Sequence, residues 1–305
     1  MLFRLILLAL AGIYYIAYKV HHRFCLRQGK PLTHARLVIV GSHLAGGAGK
    51  TPFCAWLAQH LHNGTFGTPY KNIAILCHKA AQDEAMMLRN KLPFATVVAT
   101  GNRYRTAHEL DRDFDVIICD DGFEDTRLVG ATVIRLDRDV RGDVRGDVPG
   151  DVPENTPDKI LPRRIRDLVP AGKYRSLAQD HEKPALALGP ADIRFRISGI
   201  VNAAGTTCPA LPIAVCGIGD PERFRSDLDA YGTPPARLVA APDHCKNFET
   251  LLLQAIRDGQ CAVITEKDAA RLSEGTVQNS SVFVARQETS VSDEAFEAIS
   301  ALFSK

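Results

Sequence analysis

The fold is decided by residues 37–62, which read LVIVGSHLAGGAGKTPFCAWLAQHLH. Residues 37–41 form an apolar run typical of a buried strand, and residues 51–62 have the pattern of a helix. Between them lies a glycine-rich loop that ends in Lys50 and Thr51. A strand, such a loop and a helix in this order are typical of a phosphate-binding P-loop. The sequence therefore predicts a nucleoside triphosphate site and favours a phosphotransferase.

Each residue type in the loop has a chemical reason to be there. Glycines let consecutive backbone N–H groups point at phosphate oxygens without interference from a Cβ atom. Lys50 adds positive charge for the β and γ phosphates, and the Thr51 hydroxyl can ligate Mg²⁺. The motif G-x-x-x-x-G-K-[ST] is matched except at Leu44, which replaces the first glycine. We expect ATP and Mg²⁺ as ligands, with the nucleotide held by Gly46, Gly47, Ala48, Gly49, Lys50 and Thr51.

A second apolar run, residues 116–119, ends in Asp120-Asp121-Gly122. P-loop proteins hold their metal with a carboxylate at the end of a neighbouring strand, directly or through water. One of the two acids can serve Mg²⁺ while the other points elsewhere, because adjacent strand residues face opposite ways. The predicted metal ligands are Thr51, Asp120 and Asp121. The alternative is that Asp121-Gly122 is only a turn.

Asp83 and Glu84 follow another apolar strand, residues 73–77, and open a helix. In the sheet order expected for such folds, this point lies close to the P-loop. A carboxylate there could accept a proton from a substrate hydroxyl. The alternative is that two acids in a first helical turn only complement the helix dipole.

The chain alternates apolar runs with helical patterns, which predicts an α/β fold with a mostly parallel sheet and a second, smaller α/β lobe. The remaining predicted strands of the first lobe are 96–99 and 132–136, and its other helices are 83–91 and 104–110. In the second lobe we expect strands 212–217, 238–240, 262–265 and 282–285, and helices 221–231, 248–258 and 293–303. Residues 193–207 are predicted to form a β-ribbon hinge, and a cleft between the lobes is expected to hold the ligands.

The division into domains follows from these elements. We expect an N-terminal helix at 1–27, a P-loop core at 28–192, a hinge at 193–210 and a C-terminal lobe at 211–305. Residues 139–157 carry an Arg-Gly-Asp-Val repeat whose glycine, proline and charge content is typical of a surface loop.

The N-terminal segment contains an uncharged stretch of 14 residues, 5–18, bounded by Arg4 and Lys19. As a helix it would rise about 21 Å, short of the roughly 30 Å hydrocarbon core of a bilayer. Tyrosines at 14, 15 and 18 suit an interface. We therefore expect a helix held at or in the membrane surface, with burial of this helix against its own domain as the alternative.

Composition excludes other classes of protein. The net charge of +2 argues against an extended nucleic-acid surface, which needs clustered Lys and Arg. The eight cysteines include no C-x-x-C pair, which argues against a zinc site or a disulfide framework. They are expected to be reduced thiols, many of them buried, in a cytosolic protein.

Six motifs, taken in order, resemble the tetraacyldisaccharide 4′-kinase (lipid A 4′-kinase) family of Gram-negative bacteria. They span roughly residues 1–300, counting an N-terminal apolar helix that family members use to sit on the inner membrane. Of the six motifs, residues 217–224 in the second lobe match the family's pattern most closely. The motifs are 46–52 (GGAGKTP), 119–123 (CDDGF), 170–172 with Arg175, 217–224 (GIGDPERF), 242–244 (PDH) and 265–269 (TEKDA).

The resemblance implies transfer of the γ-phosphate of ATP to the 4′-hydroxyl of a lipid-linked glucosamine disaccharide, at the cytoplasmic face of the inner membrane. It also implies an Asp–His pair near that hydroxyl, which carries over to Asp83 and His244. With Lys50, these are the predicted catalytic residues. An imidazole hydrogen-bonded to a carboxylate can orient it and tune its basicity.

The chain departs from the family's pattern next to Asp83, because the usual Ser-Arg-Gly-Tyr-Gly stretch after the second strand is missing. This leaves open a kinase of the same lineage that acts on another sugar or lipid. A nucleotide-dependent switch at the membrane is a third hypothesis. Thr265-Glu266-Lys267-Asp268 superficially resembles a guanine-reading motif, although the family match explains it better.

Overall fold

The computed structural model describes residues 20, 29–42, 48–122, 125, 127–136, 185–242, 245–257 and 260–304. Within these residues the chain forms two α/β lobes joined by an antiparallel ribbon. The predicted N-terminal helix, apart from Val20, and the Arg-Gly-Asp-Val repeat lie outside the described residues. None of the described helices is both long enough and apolar enough to cross a membrane.

The first lobe is built on a six-stranded sheet in which every pair of neighbours is parallel. Its strands are β1 (Arg36–Gly41), β2 (Ile73–His78), β3 (Thr96–Thr100), β4 (Val116–Asp120), β5 (Thr132–Leu136) and β6 (Leu186–Leu188). They are ordered β3-β2-β4-β1-β5-β6. The predicted parallel α/β fold is confirmed, and the first five strands lie within one residue of their predicted limits. The short edge strand β6 was not predicted.

Helices cover both faces of this sheet, which explains why its strands are continuous apolar runs. One face packs against α1 (Lys50–His62) and α2 (Gln82–Lys91), through side chains such as Phe53, Leu57 and Leu88. The opposite face packs against α3 (Arg103–Leu110), where Ala107 is fully buried. All three helices were predicted, each beginning one residue earlier than expected.

The second lobe has a five-stranded sheet in the order β7-β11-β10-β8-β9. Its strands are β7 (Ile193–Val201), β8 (Ile213–Cys216), β9 (Arg237–Ala240), β10 (Ala262–Thr265) and β11 (Val282–Val291). Its helices are α4 (Pro221–Tyr231), α5 (Phe248–Ala255), α6 (Glu266–Ala269) and α7 (Glu274–Val277). The predicted second α/β lobe is present, and α6 and α7 are too short for periodicity to predict.

The ribbon consists of β7 paired with residues 284–291 of β11 in antiparallel register. β11 is six residues longer than its predicted strand, because beyond Ala285 it leaves β10 and continues against β7 alone. Ile193 and Phe195 at one end of β7 are buried in the first core, whereas Ile200 at the other end is buried in the second. The predicted hinge is therefore a strand pair that enters both cores.

The last helix, α8 (Asp293–Phe303), packs against the first lobe. Its buried residues Ala295, Ile299 and Phe303 belong to the same apolar cluster as α1. Arg36 at the start of β1 donates a hydrogen bond to the Leu302 carbonyl, and its guanidinium lies 4.7 Å from the centre of the Phe303 ring. Chain position groups α8 with the C-terminal lobe, whereas packing groups it with the P-loop core.

The cysteines of the described residues are all free. Cys54, Cys77, Cys119 and Cys216 are buried in apolar surroundings. Burial raises the pKa of the Cys77 thiol well above its ordinary value and that of Cys216 to about 12, so both remain protonated at neutral pH.

Candidate functional site

The carboxyl ends of β1, β2 and β4 meet at one edge of the first sheet and face the second lobe. A cavity of about 330 Å³ lies there, between the lobes. Parallel sheets place their ligands in this position, beyond the carboxyl ends of the strands. Its lining includes Lys50, Thr51, Glu84, Asp120 and Asp121 from the first lobe and Ile218, Arg223, Phe224 and Lys267 from the second.

The end of the P-loop forms one wall of this cavity, where Ala48, Gly49, Lys50 and Thr51 all contribute to the lining. Gly46 and Gly47 lie outside the described residues. Gly49 has φ 78° and directly precedes α1, a conformation that side-chain-bearing residues adopt at a cost. A Cβ atom at this position would fall 2.1 Å from the ring of Phe195 in the ribbon. Glycine is therefore required both by the backbone and by the close approach of the ribbon.

Thr51 and Asp120 are joined at the floor of the cavity. The Thr51 hydroxyl donates a hydrogen bond of 2.7 Å to Asp120 Oδ2. The other carboxylate oxygen, Oδ1, is buried and has no hydrogen-bond partner. Burial, assisted by the negative charge of Glu84, raises the pKa of Asp120 from 3.8 to about 7. A buried carboxylate with one oxygen that accepts no hydrogen bond is suited to bind a cation.

Asp121 faces the P-loop as well, because the chain leaves β4 at this residue with φ 60°. Its Oδ1 lies 3.1 Å from Lys50 Nζ. We expected the two neighbouring acids to face opposite ways, as they would in a continuous strand. In the structure Asp120 contacts Thr51 while Asp121 contacts Lys50, so both carboxylates serve the same loop.

Asp83 and Glu84 lie in the first turn of α2, just beyond the carboxyl end of β2. Asp83 is 7% exposed, which is uncommon for an acid that only complements a helix dipole. Lys267 of the second lobe lies 3.6 Å from Asp83 Oδ2 and 3.2 Å from Glu84 Oε1. Glu84 Oε2 is also 3.5 Å from the Thr51 hydroxyl. His244, the predicted partner of Asp83, lies outside the described residues.

The Thr265–Asp268 motif is fixed by its buried acid. Asp268 is fully buried, accepts hydrogen bonds from the Thr265 hydroxyl (2.7 Å) and the Gly217 backbone N–H (3.2 Å), and pairs with Arg271. An aspartate that reads guanine must present its carboxylate to the base. The Asp268 carboxylate is occupied by these contacts within its own lobe, so the motif holds α6 in place. The carboxylate is therefore not presented to a base, and the guanine-reading alternative loses its support.

Three further residues contribute to the site, although the sequence did not predict a role there for them: Arg103, Lys267 and Phe195. Arg103 begins α3 and donates a 2.8 Å hydrogen bond to the Asp120 carbonyl. Its position just after β3 is the signal that could have found it, since side chains at the carboxyl end of a strand meet at the site. For Lys267 and Phe195 the signal is weaker, because their partners are far away in the chain.

A crystal structure described as LpxK from Aquifex aeolicus in complex with ATP superposes with a TM-score of 0.65, over 99% of each chain, at 20% identity. At that identity the likeness supports the fold. It agrees with the two-lobed α/β architecture described above.

Three proteins named tetraacyldisaccharide 4′-kinase match the chain at higher sequence identity. The protein from Jannaschia sp. (strain CCS1) is 31% identical over 274 residues, covering 78% of this chain and 77% of its own. The protein from Parvibaculum lavamentivorans is 30% identical, covering 80% and 75%. The protein from Rhodopseudomonas palustris (strain BisB5) is 30% identical, covering 86% and 82%.

A family model described as tetraacyldisaccharide-1-P 4′-kinase matches residues 3–136 and 168–304. The match leaves out residues 137–167, the stretch that contains the Arg-Gly-Asp-Val repeat. Both lobes and every described residue of the cavity fall inside the matched ranges. On this coverage, and on the identity to its relatives, the chain belongs to the tetraacyldisaccharide-1-P 4′-kinase (LpxK) family.

Proposed function

We propose that this protein transfers the γ-phosphate of ATP to the 4′-hydroxyl of a tetraacyldisaccharide 1-phosphate, a step in lipid A biosynthesis. The observation that carries the proposal is the hydrogen bond from Thr51 to Asp120 in a cleft that is also lined by Glu84, the chain neighbour of Asp83, in a chain from this family. The names of the relatives supply the acceptor. The geometry supplies the parts of a phosphoryl-transfer site.

ATP binding is assigned to the P-loop. Lys50 is 10% exposed, and its ammonium faces the cavity beside Asp121. On binding, the phosphates compete with Asp121 for this ammonium, which acts as a point charge on the β and γ phosphates. The N–H groups at the start of α1 add partial positive charge toward the same oxygens.

Mg²⁺ is assigned to Thr51 and Asp120, because the buried, unpartnered Asp120 Oδ1 fits a hard cation that prefers oxygen ligands. Among the described residues, no three His, Cys, Asp or Glu side chains form a protein-only metal cluster. Mg²⁺ in kinases needs none, because phosphates and water complete its shell. When bound, the ion would neutralise charge on the phosphate oxygens.

Asp83 is assigned as the base. The acceptor oxygen forms a bond to the γ-phosphorus, the bond from that phosphorus to the ADP oxygen breaks, and the hydroxyl proton passes to Asp83. His244 is assigned as the group that orients and tunes this carboxylate. The Lys50 ammonium offsets negative charge on the phosphoryl group during its transfer.

The membrane surface is proposed as the place of reaction. The acceptor carries acyl chains, and residues 5–18 form an uncharged stretch suited to the interface. An ATP-dependent enzyme with such a segment would work at the cytoplasmic face of the bacterial inner membrane. Removal of residues 1–27 should then lower turnover on acceptor in vesicles more than on acceptor in detergent.

The test is an acceptor assay with the purified full chain, Mg²⁺-ATP and tetraacyldisaccharide 1-phosphate. We expect one 4′-phosphorylated product per ADP, and none with Lys50→Ala. ADP formation without a phosphorylated disaccharide would refute the proposed acceptor. Other lipid and sugar acceptors tested in parallel would then identify a kinase with a different substrate.

A further inference from the structure

Two adjacent residues of the second lobe, Glu266 and Lys267, contact the two ends of α2 in the first lobe. Lys91, in the last turn of α2, lies 2.9 Å from Glu266 Oε2. Lys267 Nζ lies 3.2 Å from Glu84 Oε1 and 3.6 Å from Asp83 Oδ2, both in the first turn. Two bridges of opposite polarity, with three ion pairs in all, therefore span the cleft along one helix.

The two bridges differ in their surroundings. The Lys91 side chain is 35% exposed and lies outside the cavity lining, so water weakens its pair with Glu266. The Lys267 side chain is 17% exposed and lines the cavity, and its partner Asp83 is 7% exposed. Charges held away from water interact more strongly, so the Lys267 bridge is the stronger of the two.

The backbone that carries Lys267 is fixed on its own lobe. Asp268 next to it is fully buried and bonded to Thr265 and Gly217. The Thr265 hydroxyl also accepts a hydrogen bond of 3.1 Å from the Asp268 N–H and so caps α6. Lys267 therefore projects into the cleft from a rigid base.

The carboxylates opposite Lys267 repel one another. Asp83 and Glu84 are neighbours in the chain, and Glu84 Oε2 lies 3.5 Å from the Thr51 hydroxyl that is bonded to Asp120. The Lys267 ammonium contacts both acids of the first turn and offsets this repulsion. A line of contacts thus runs from the second lobe through Glu84 to the P-loop.

We propose that Lys267 is a positioning residue, which holds the first turn of α2 and the Asp83 carboxylate in place against the P-loop. The role rests on the proposed function, because Asp83 is a base only in that reaction. Lys267 acts through Asp83 and Glu84. Lys267→Met fills about the same space without the charge, whereas Lys267→Arg keeps the charge.

The experiment compares Lys267→Met and Lys267→Arg with Lys91→Met, which removes the other bridge. Lys267→Met should lower kcat about tenfold or more, because small displacements of a reacting group are costly, with KM for Mg²⁺-ATP within about twofold. Lys267→Arg should recover most of the loss. Lys91→Met should stay within about twofold of the parent. Lys267→Gln replaces Lys267→Met if that variant does not fold.

Hydrogen exchange of residues 82–88 gives a measurement that does not depend on the acceptor. We expect faster exchange of these amides in Lys267→Met. Unchanged kcat in that variant, or an equal loss in Lys91→Met, would overturn the positioning role. If the parent protein ignores the disaccharide, the proposed function fails by itself, and unchanged protection of residues 82–88 would then overturn the inference separately.

Discussion

The Thr51 hydroxyl and Asp120 Oδ2 lie 2.7 Å apart, although 69 residues separate them in the chain. The bond exists because β1 and β4 are neighbours in parallel register, with Val40 opposite Asp120. The P-loop leaves β1 at the level where β4 ends. This register brings the helix start and the strand-end acid together, and it leaves Asp120 Oδ1 buried without a partner.

Asp120 should make the ligand-free protein less stable as pH rises. Its pKa is about 7 in the folded protein against an ordinary 3.8. Between these pH values the unfolded chain releases the proton while the folded protein keeps it, so the free energy of unfolding falls as the pH rises. Asp120→Asn should therefore be more stable than the parent near pH 8, by on the order of 3 kcal/mol, and equally stable near pH 4. Urea unfolding at both pH values measures this difference.

The control for this prediction is Glu109→Gln, which removes an exposed carboxylate paired with Arg105. It should not show the same pH-dependent gain. A gain for Asp120→Asn that is equal at both pH values would contradict the raised pKa as the cause.

Gly49→Ala should weaken nucleotide binding. The added methyl group meets the Phe195 ring, and the left-handed backbone at φ 78° disfavours alanine. We expect the Kd for ATP to rise about tenfold or more, which corresponds to roughly 1.4 kcal/mol. Calorimetric titration measures it. Gly199→Ala is the control, since its Cβ would meet nothing within 4 Å, and an equal loss there would refute the explanation.

Asp83→Asn should abolish most turnover and leave ATP binding intact. Asparagine keeps the shape of the side chain but cannot accept the proton, so kcat should fall by about 10²- to 10⁴-fold. The acceptor assay and an ATP titration measure the two effects. Asp113→Asn, at an exposed position, should be neutral. Normal turnover by Asp83→Asn would exclude Asp83 as the base.

Phe303→Ala should destabilise the first lobe, although the residue is near the end of the chain. Its ring is 5% exposed and packs against Phe66 and Arg36. Removal of a buried phenylalanine side chain costs about 3–5 kcal/mol. The single tryptophan, Trp56 in α1, contacts Phe296 of α8 and reports on this region by its fluorescence during urea unfolding.

Leu253→Ala is the comparison for Phe303→Ala, because Leu253 is an exposed apolar residue of the second lobe. It should leave the Trp56 transition almost unchanged. If Phe303→Ala also left that transition unchanged, α8 would not contribute to the first core.

Local chemistry let the sequence predict most elements of both lobes. Continuous apolar runs indicate strands buried on both faces, and the glycine-rich loop before Lys50 indicates phosphate binding. Asp83, Asp120 and Asp121 could be selected because each follows such a run, and strand ends in parallel sheets meet at one edge. These inferences need only residues that are close together in the chain.

The sequence by itself thus determined the fold class, the P-loop and the acids that face it. Only the tertiary structure decided which carboxylate contacts which partner, because that depends on strand register and on the φ of 60° at Asp121. It also decided that α8 belongs to the first core, that the Phe195 ring packs against Gly49 and that Lys267 contacts Asp83. Such contacts join residues that are far apart in the chain, and no local pattern encodes their distance.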